Sequence, residues 1–121
     1  MVHSLSVKLY SWSDVTAEAL TPLFTRRMIH SERMTIARLE LKKGTTVPRH
    51  SHENEQVSTV DQGVLRFTFD SGDVDVSAGQ TLVIPPNEAH SAVALEDCIA
   101  LDIFSPPRED WITGNDAYLR K

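Results

Sequence analysis

Pro48-Arg49-His50-Ser51-His52-Glu53-Asn54-Glu55-Gln56, together with Pro85-Pro86-Asn87-Glu88-Ala89-His90, carries three of the chain's five histidines. Residues two apart on an extended strand project to the same side. His50 and His52 can therefore aim two imidazoles into one interior, with their nitrogens converging on one ion. Taken alone, a His-x-His pair reads as readily as two surface histidines beside a turn, so its meaning depends on what surrounds it.

Around this stretch, short runs of period-two character recur between Gly, Pro, Asn and Asp, and few windows hold a helical period beyond two turns. The pattern predicts strands over 23–30, 35–41, 57–61, 65–69, 74–76, 81–84, 91–95 and 98–104. In 35–41, Ala37, Leu39 and Leu41 share one face, opposite Arg38, Glu40 and Lys42. Strands at such even spacing predict an all-β fold, a jelly roll or small barrel, with its core at about 34–104. Gly44, Gly63, Gly72 and Gly79 each fall between two runs, and Asp70-Ser71-Gly72-Asp73 has the turn chemistry of a hairpin. After the last strand, Ser105-Pro106-Pro107-Arg108 offers an N-cap serine followed by prolines tolerated in a first helical turn, predicting a short C-terminal helix or turn.

The chain's 121 residues, 40% hydrophobic and 24% charged, are the balance of a single globular domain spanning 1–121. Twelve Lys and Arg against seventeen Asp and Glu give a net charge of -5. Lacking any long basic run, the chain is expected to bind neither nucleic acid nor an anionic membrane, which favours a small-molecule partner. No apolar run approaches a bilayer span, and His3, Ser4, Ser6, Lys8, Ser11 and Ser13 break up any secretory signal, so a cytoplasmic location is expected. Cys98 has no cysteine partner, and its neighbours Glu96 and Asp97 disfavour a thiolate, which makes it a buried structural thiol. There is no G-x-S-x-G, P-loop or G-x-G-x-x-G to support serine hydrolysis, nucleotide hydrolysis or a Rossmann cofactor.

The spacing of Gly44, His50, His52, Gly63, Gly79, Pro85 and His90 resembles the two-part signature of the cupin superfamily, G-x5-H-x-H-x3-E-x6-G followed by G-x5-P-x-G-x2-H-x3-N. Gln56 stands where that signature has glutamate, Asn87 where it has glycine, and Ala94 where it has asparagine. Asn87 is a mild departure, because asparagine also tolerates the left-handed turn conformation. The resemblance implies a small double-stranded β-helix, or jelly-roll barrel, holding one divalent transition metal through His50, His52, Gln56 and His90. Strand parity agrees if the segment stays extended: Gln56 then shares the side of the two histidines, while Glu53 and Glu55 point away. A Glu55 that swings in as ligand is the alternative. Four neutral ligands leave the ion's charge uncompensated, favouring an anionic substrate, and the donor set suits Zn, Ni, Mn, Fe or Co.

In Ala100-Leu101-Asp102-Ile103-Phe104, alternation groups Asp102 with Phe104 and sets Leu101 and Ile103 opposite. Parity alone leaves open whether the Asp102 side faces the interior or solvent. Arg108 is either a donor to a substrate carboxylate or a surface partner of Asp110. His50–Gln56 and the D-x-F-x3-R run from Asp102 to Arg108 resemble the KdgF-like pectin- and alginate-degradation cupins, which open the ring of 4,5-unsaturated monouronates to the linear keto acid. That resemblance implies catalytic roles for Asp102 and Arg108, and substrate binding by Phe104 and Arg108. A non-catalytic ligand-binding or sensor cupin and a metal-dependent dioxygenase are the competing readings. With Asp102 turned inward, Ile99, Leu101 and Ile103 would need an outer cover, for which a homodimer partner is expected, the segment around Leu9 to Leu23 being the alternative.

Overall fold

A computed structural model describes residues 6–121; His3 and Ser4 of the expected signal-breaking positions lie outside the described residues. The strands are β1 (Glu18–Thr21), β2 (Phe24–His30), β3 (Thr35–Leu41), β4 (Thr46–His50), β5 (Glu55–Gln62), β6 (Val64–Phe69), β7 (Gly72–Ser77), β8 (Thr81–Ile84), β9 (His90–Ala94) and β10 (Cys98–Ser105). A single-turn helix, α1 (Glu109–Ile112), and 3₁₀ turns at Trp12–Asp14 and Ala117–Leu119 complete the elements. The strands pair antiparallel in two sheets, one ordered β1-β2-β3-β10-β5-β8 and the other β4-β9-β6-β7. None of the described helices is long and apolar enough to cross a membrane.

Alternation builds the core as the sequence predicts. Ala37, Leu39 and Leu41 of β3 are buried together with Ala100 and Phe104 of β10 and Val60 of β5, while Glu40 is exposed. Asp102 lies on the buried side of β10, which resolves the open parity question in favour of the interior. The hairpin at Asp70-Ser71 joins β6 to β7, with Phe69 opposite Gly72. Gly63 is required where it stands: its φ is 85°, and an added Cβ would run into the Asp97 carbonyl oxygen and lie 2.9 Å from Cys98 Sγ. Cys98 is buried, as expected, and burial pushes its thiol pKa up.

Two strands escape the alternation pattern. β1 is only four residues long, and β4 contains Pro48, which cannot donate to a ladder. β4 accommodates that proline with a bulge: Val47 pairs with Ala92, but the next pair is His50 with His90, so one extra residue is inserted. Strict alternation would put Val47 and His50 on opposite faces. The bulge re-aims the strand, and both side chains line the same cavity.

The expected helix cap at Ser105 is not formed. Ser105 ends β10 and its hydroxyl donates to the Arg33 carbonyl at 2.9 Å, while α1 begins only at Glu109 with Arg108 in the cap position. The segment beyond is tied back to the barrel through a buried ion pair between Arg26 of β2 and Asp116, 2.6 Å apart. Trp111 packs between two guanidinium groups, Arg26 at 4.6 Å and Arg108 at 4.2 Å from its ring centre.

Candidate metal centre

The two sheets each send side chains into the space between them. β4 and β9 place His50 opposite His90, and β5 and β10 place Gln56 opposite Phe104 and Ser58 opposite Asp102. His52 lies just past the end of β4, so the segment does not stay extended from His50 to Gln56. The chain turns at Glu53-Asn54, and the turn, rather than strand parity, brings His52 and Gln56 together. Glu53 and Glu55 are exposed, as expected, and the ligand atoms of His50, His52 and His90 all lie within 4.8 Å of one another.

Each imidazole is oriented from its own stretch of chain. His50 Nδ1–H donates to the Pro48 carbonyl at 2.8 Å, His52 Nδ1–H to Asn54 at 3.0 Å and His90 Nδ1–H to Glu88 at 2.7 Å. A carbonyl partner requires a protonated Nδ1, so all three rings carry their lone pair on Nε2. Burial lowers the pKa values of His50 and His52 to about 4 and lowers that of His90, which keeps the rings neutral near pH 7.

These details fit a cation. His90 Nε2 is buried and has no hydrogen-bond partner among the described residues. Gln56 donates its amide N–H groups to Ser58 Oγ at 2.9 Å and towards Asp102 Oδ2 at 3.4 Å, which turns its Oε1 to His52 Nε2 at 3.0 Å. Two acceptors then face each other, an arrangement that repels unless a positive charge lies between or beside them. Three neutral imidazoles and an amide oxygen suit a divalent transition metal and are a poor set for Mg²⁺ or Ca²⁺.

Asp102, Phe104 and Arg108 border the same cavity, which encloses about 470 Å³ including the solvent at its mouth. Asp102 is buried with Oδ1 unpartnered among the described residues, and burial pushes its pKa up to about 6 against the opposing pull of Ser58 and Arg108. Arg108 is only 1% exposed and lies over the Phe104 ring at 4.7 Å. Its Nε and Nη2 grip the Asp110 carboxylate at 2.9 and 2.8 Å, so the partner envisaged for a surface arginine is real although the residue is buried.

A profile of the family described as "Cupin domain" matches residues 37–104. The chain belongs to the cupin family. Among solved structures, KdgF from Halomonas sp. is 26% identical to this cupin at a TM-score of 0.80, over 88% of this chain and 99% of the other. An RmlC-like cupin from Shewanella frigidimarina NCIMB 400 is 27% identical at 0.79, over 88% and 96%. Oxalate decarboxylase from Bacillus subtilis, 23% identical at 0.74 over 86% of this chain and 31% of its own, shares the fold. No curated protein sequence matches the cupin. Asn87, in the position of a signature glycine, has a φ of 66°, so it does adopt the left-handed conformation.

Sequence reasoning missed two residues of this site. Asn54 orients His52 through its carbonyl, and its side-chain amide donates to the carbonyls of Pro106 and Pro107, linking the metal loop to the segment that carries Arg108. Tyr118 lies against His50, with ring centres 5.1 Å apart and the planes tilted by 38°. The pattern H-x-N does contain a signal for the first, since asparagine is the residue that bridges backbone groups in turns.

The metal-free cupin is expected to lose stability as pH falls from 6.5 to about 4. His50 and His52 take up protons near 6.5 when unfolded but only near 4 when folded, so over that interval the unfolded chain binds more protons and is favoured. Asp102, protonated more readily in the folded state, opposes this with one group against the imidazoles. Urea midpoints should therefore be lower at pH 5 than at pH 7. Equal midpoints would mean that the imidazoles are not desolvated as described.

Proposed function

We propose that this cupin opens the ring of 4,5-unsaturated monouronates and converts them to the linear keto acid. The observation that carries this reading is Asp102, a buried carboxylate whose Oδ1 has no partner among the described residues and which lines one cavity with His50, Gln56 and His90. The Asp102-to-Arg108 run supports it through its resemblance to the KdgF-like cupins, as does the structural likeness to KdgF from Halomonas sp..

His50, His52, Gln56 and His90 would hold one divalent transition metal, which when bound supplies Lewis acidity for a sugar-acid oxygen. Asp102 accepts the proton of the anomeric hydroxyl as the bond between the anomeric carbon and the ring oxygen breaks. The ring oxygen becomes the enol oxygen at C5. Asp102 then delivers a proton to C4 as that enol becomes the ketone, so the reaction is an isomerisation with no net oxidation. A carboxyl titrating near 6 suits transfer in both directions. Arg108 holds the substrate carboxylate, and Phe104 supplies an apolar wall.

The test follows loss of the substrate's ultraviolet-absorbing double bond above its spontaneous rate. No acceleration by the metal-loaded protein would remove this reading. Product-free ligand binding would instead favour a sensor, and oxygen consumption a dioxygenase.

The reading includes a homodimer. Ile29, Ile36, Ile103, Val57 and Val83 are register partners across β2, β3, β10, β5 and β8, forming one apolar row on the outer face. The described N-terminal residues border Ile29 and Ile36, leaving Val83 60% exposed. Sedimentation should find about twice 13.5 kDa at micromolar concentration, and a monomer alone would count against a second copy as the cover.

A further inference from the structure

Tyr118 receives two hydrogen bonds on its hydroxyl, from Arg108 Nη2 at 2.8 Å and from Trp111 Nε1 at 3.3 Å. Neither donor can act as an acceptor, because a guanidinium and an indole N–H only donate. A phenol oxygen accepts two such bonds and has one O–H left to give, and among the described residues nothing receives it. Arg108 is similarly one-sided. Asp110 and Tyr118 occupy its Nε and Nη2 hydrogens, leaving the two hydrogens of Nη1 without a protein acceptor among the described residues.

Both side chains border the cavity that contains His50, His90 and Asp102. The site therefore has two chemically distinct sets of groups. The imidazole Nε2 atoms and Asp102 Oδ1 offer lone pairs, whereas Tyr118 and Arg108 offer only hydrogens. A carboxylate, which accepts and does not donate, is the group that satisfies the second set. The Arg108 guanidinium also polarises the hydroxyl it donates to, strengthening the outgoing O–H.

We infer that Tyr118 is a substrate-contacting residue whose O–H donates, alongside Arg108 Nη1, to the carboxylate of a bound sugar acid. This rests on the reading above only in taking the ligand to be a uronate; it does not require ring opening. The tyrosine ring is held against His50, so the donor is in place before the ligand arrives.

The experiment uses the protein with its metal, D-galacturonate as a saturated uronate probe, and D-galactose as the counterpart without a carboxylate. By calorimetry, wild type should bind the uronate and prefer it to galactose. Tyr118→Phe keeps the ring and removes the O–H, and should weaken uronate binding roughly tenfold, the loss of one hydrogen bond to a charged group. A displaced Arg108 could weaken binding as well, so a direct readout of the phenol is needed. The chain has two tyrosines, and in a Tyr10→Phe background Tyr118 is the one that remains. The intensity ratio of its Raman doublet should move towards that of a hydrogen-bond donor when galacturonate is added, and should not move with galactose.

An unchanged doublet overturns the inference, as does equal uronate affinity in wild type and Tyr118→Phe, or a wild type that does not bind galacturonate. If Tyr118→Phe fails to fold, the doublet decides alone. Absence of turnover on unsaturated uronates with these binding results intact removes the proposed reaction and leaves the carboxylate contact standing.

Discussion

Asp102→Asn is expected to lower turnover of 4,5-unsaturated monouronates by roughly 10²-fold or more, about 2.7 kcal/mol of barrier. The amide keeps the shape of the carboxylate and can still receive the Gln56 N–H, but it can neither accept the anomeric proton nor return one to C4. Metal content should stay at the wild-type level, because the three imidazoles take their orientation from backbone carbonyls and not from Asp102. The outcome that sinks the role is near-normal turnover by a protein with normal metal. A large fall in metal together with turnover would instead make Asp102 part of the binding set.

His50→Ala/His52→Ala should lose nearly all bound metal, with elemental analysis finding less than roughly a tenth of the wild-type stoichiometry. The remaining donors, His90 and Gln56, are two neutral groups from opposite sheets, and two such ligands do not hold a divalent ion against dilution and chelator. Both replaced residues are only partly buried, at and just beyond the end of β4, so the barrel should still form. Far-ultraviolet circular dichroism checks this. Full metal retention by a folded double variant would place the ion elsewhere.

Much of this was legible in the chain because alternation and turn chemistry are local signals. The inward side of β3 and the hairpin at Asp70-Ser71 needed nothing beyond a few neighbouring residues, whereas the left-handed Asn87 was read from its place at a glycine of the family signature. The three histidines came from spacing. Their reason for converging did not, since a bulge at Pro48 and a turn at Glu53-Asn54 do what parity was expected to do. The burial of Arg108 was illegible for a different reason. It depends on Trp111 and Tyr118, and that segment is held down by Asp116 meeting Arg26, ninety positions away in the chain. Residues 112–121 show no period of their own, and contacts made across such a separation leave no trace in composition. Ser105 misled because a serine before two prolines has the chemistry of a helix cap, whereas its hydroxyl was taken by Arg33 across the sheet.

The carbonyls of Pro48, Asn54 and Glu88 that steer the imidazoles lie two residues from the rings they hold. The orientation of the three imidazoles is thus inherited with two short peptides, while the groups proposed to contact the ligand come from the final strand and the segment folded over it. On the proposed reading, evolution or an engineer could vary the ligand-facing side chains of Arg108 and Tyr118 while the backbone carbonyls that aim the imidazoles stay as they are. The barrel is in this sense a fixed socket with an exchangeable fitting, and new chemistries should be sought first by diversifying that second part.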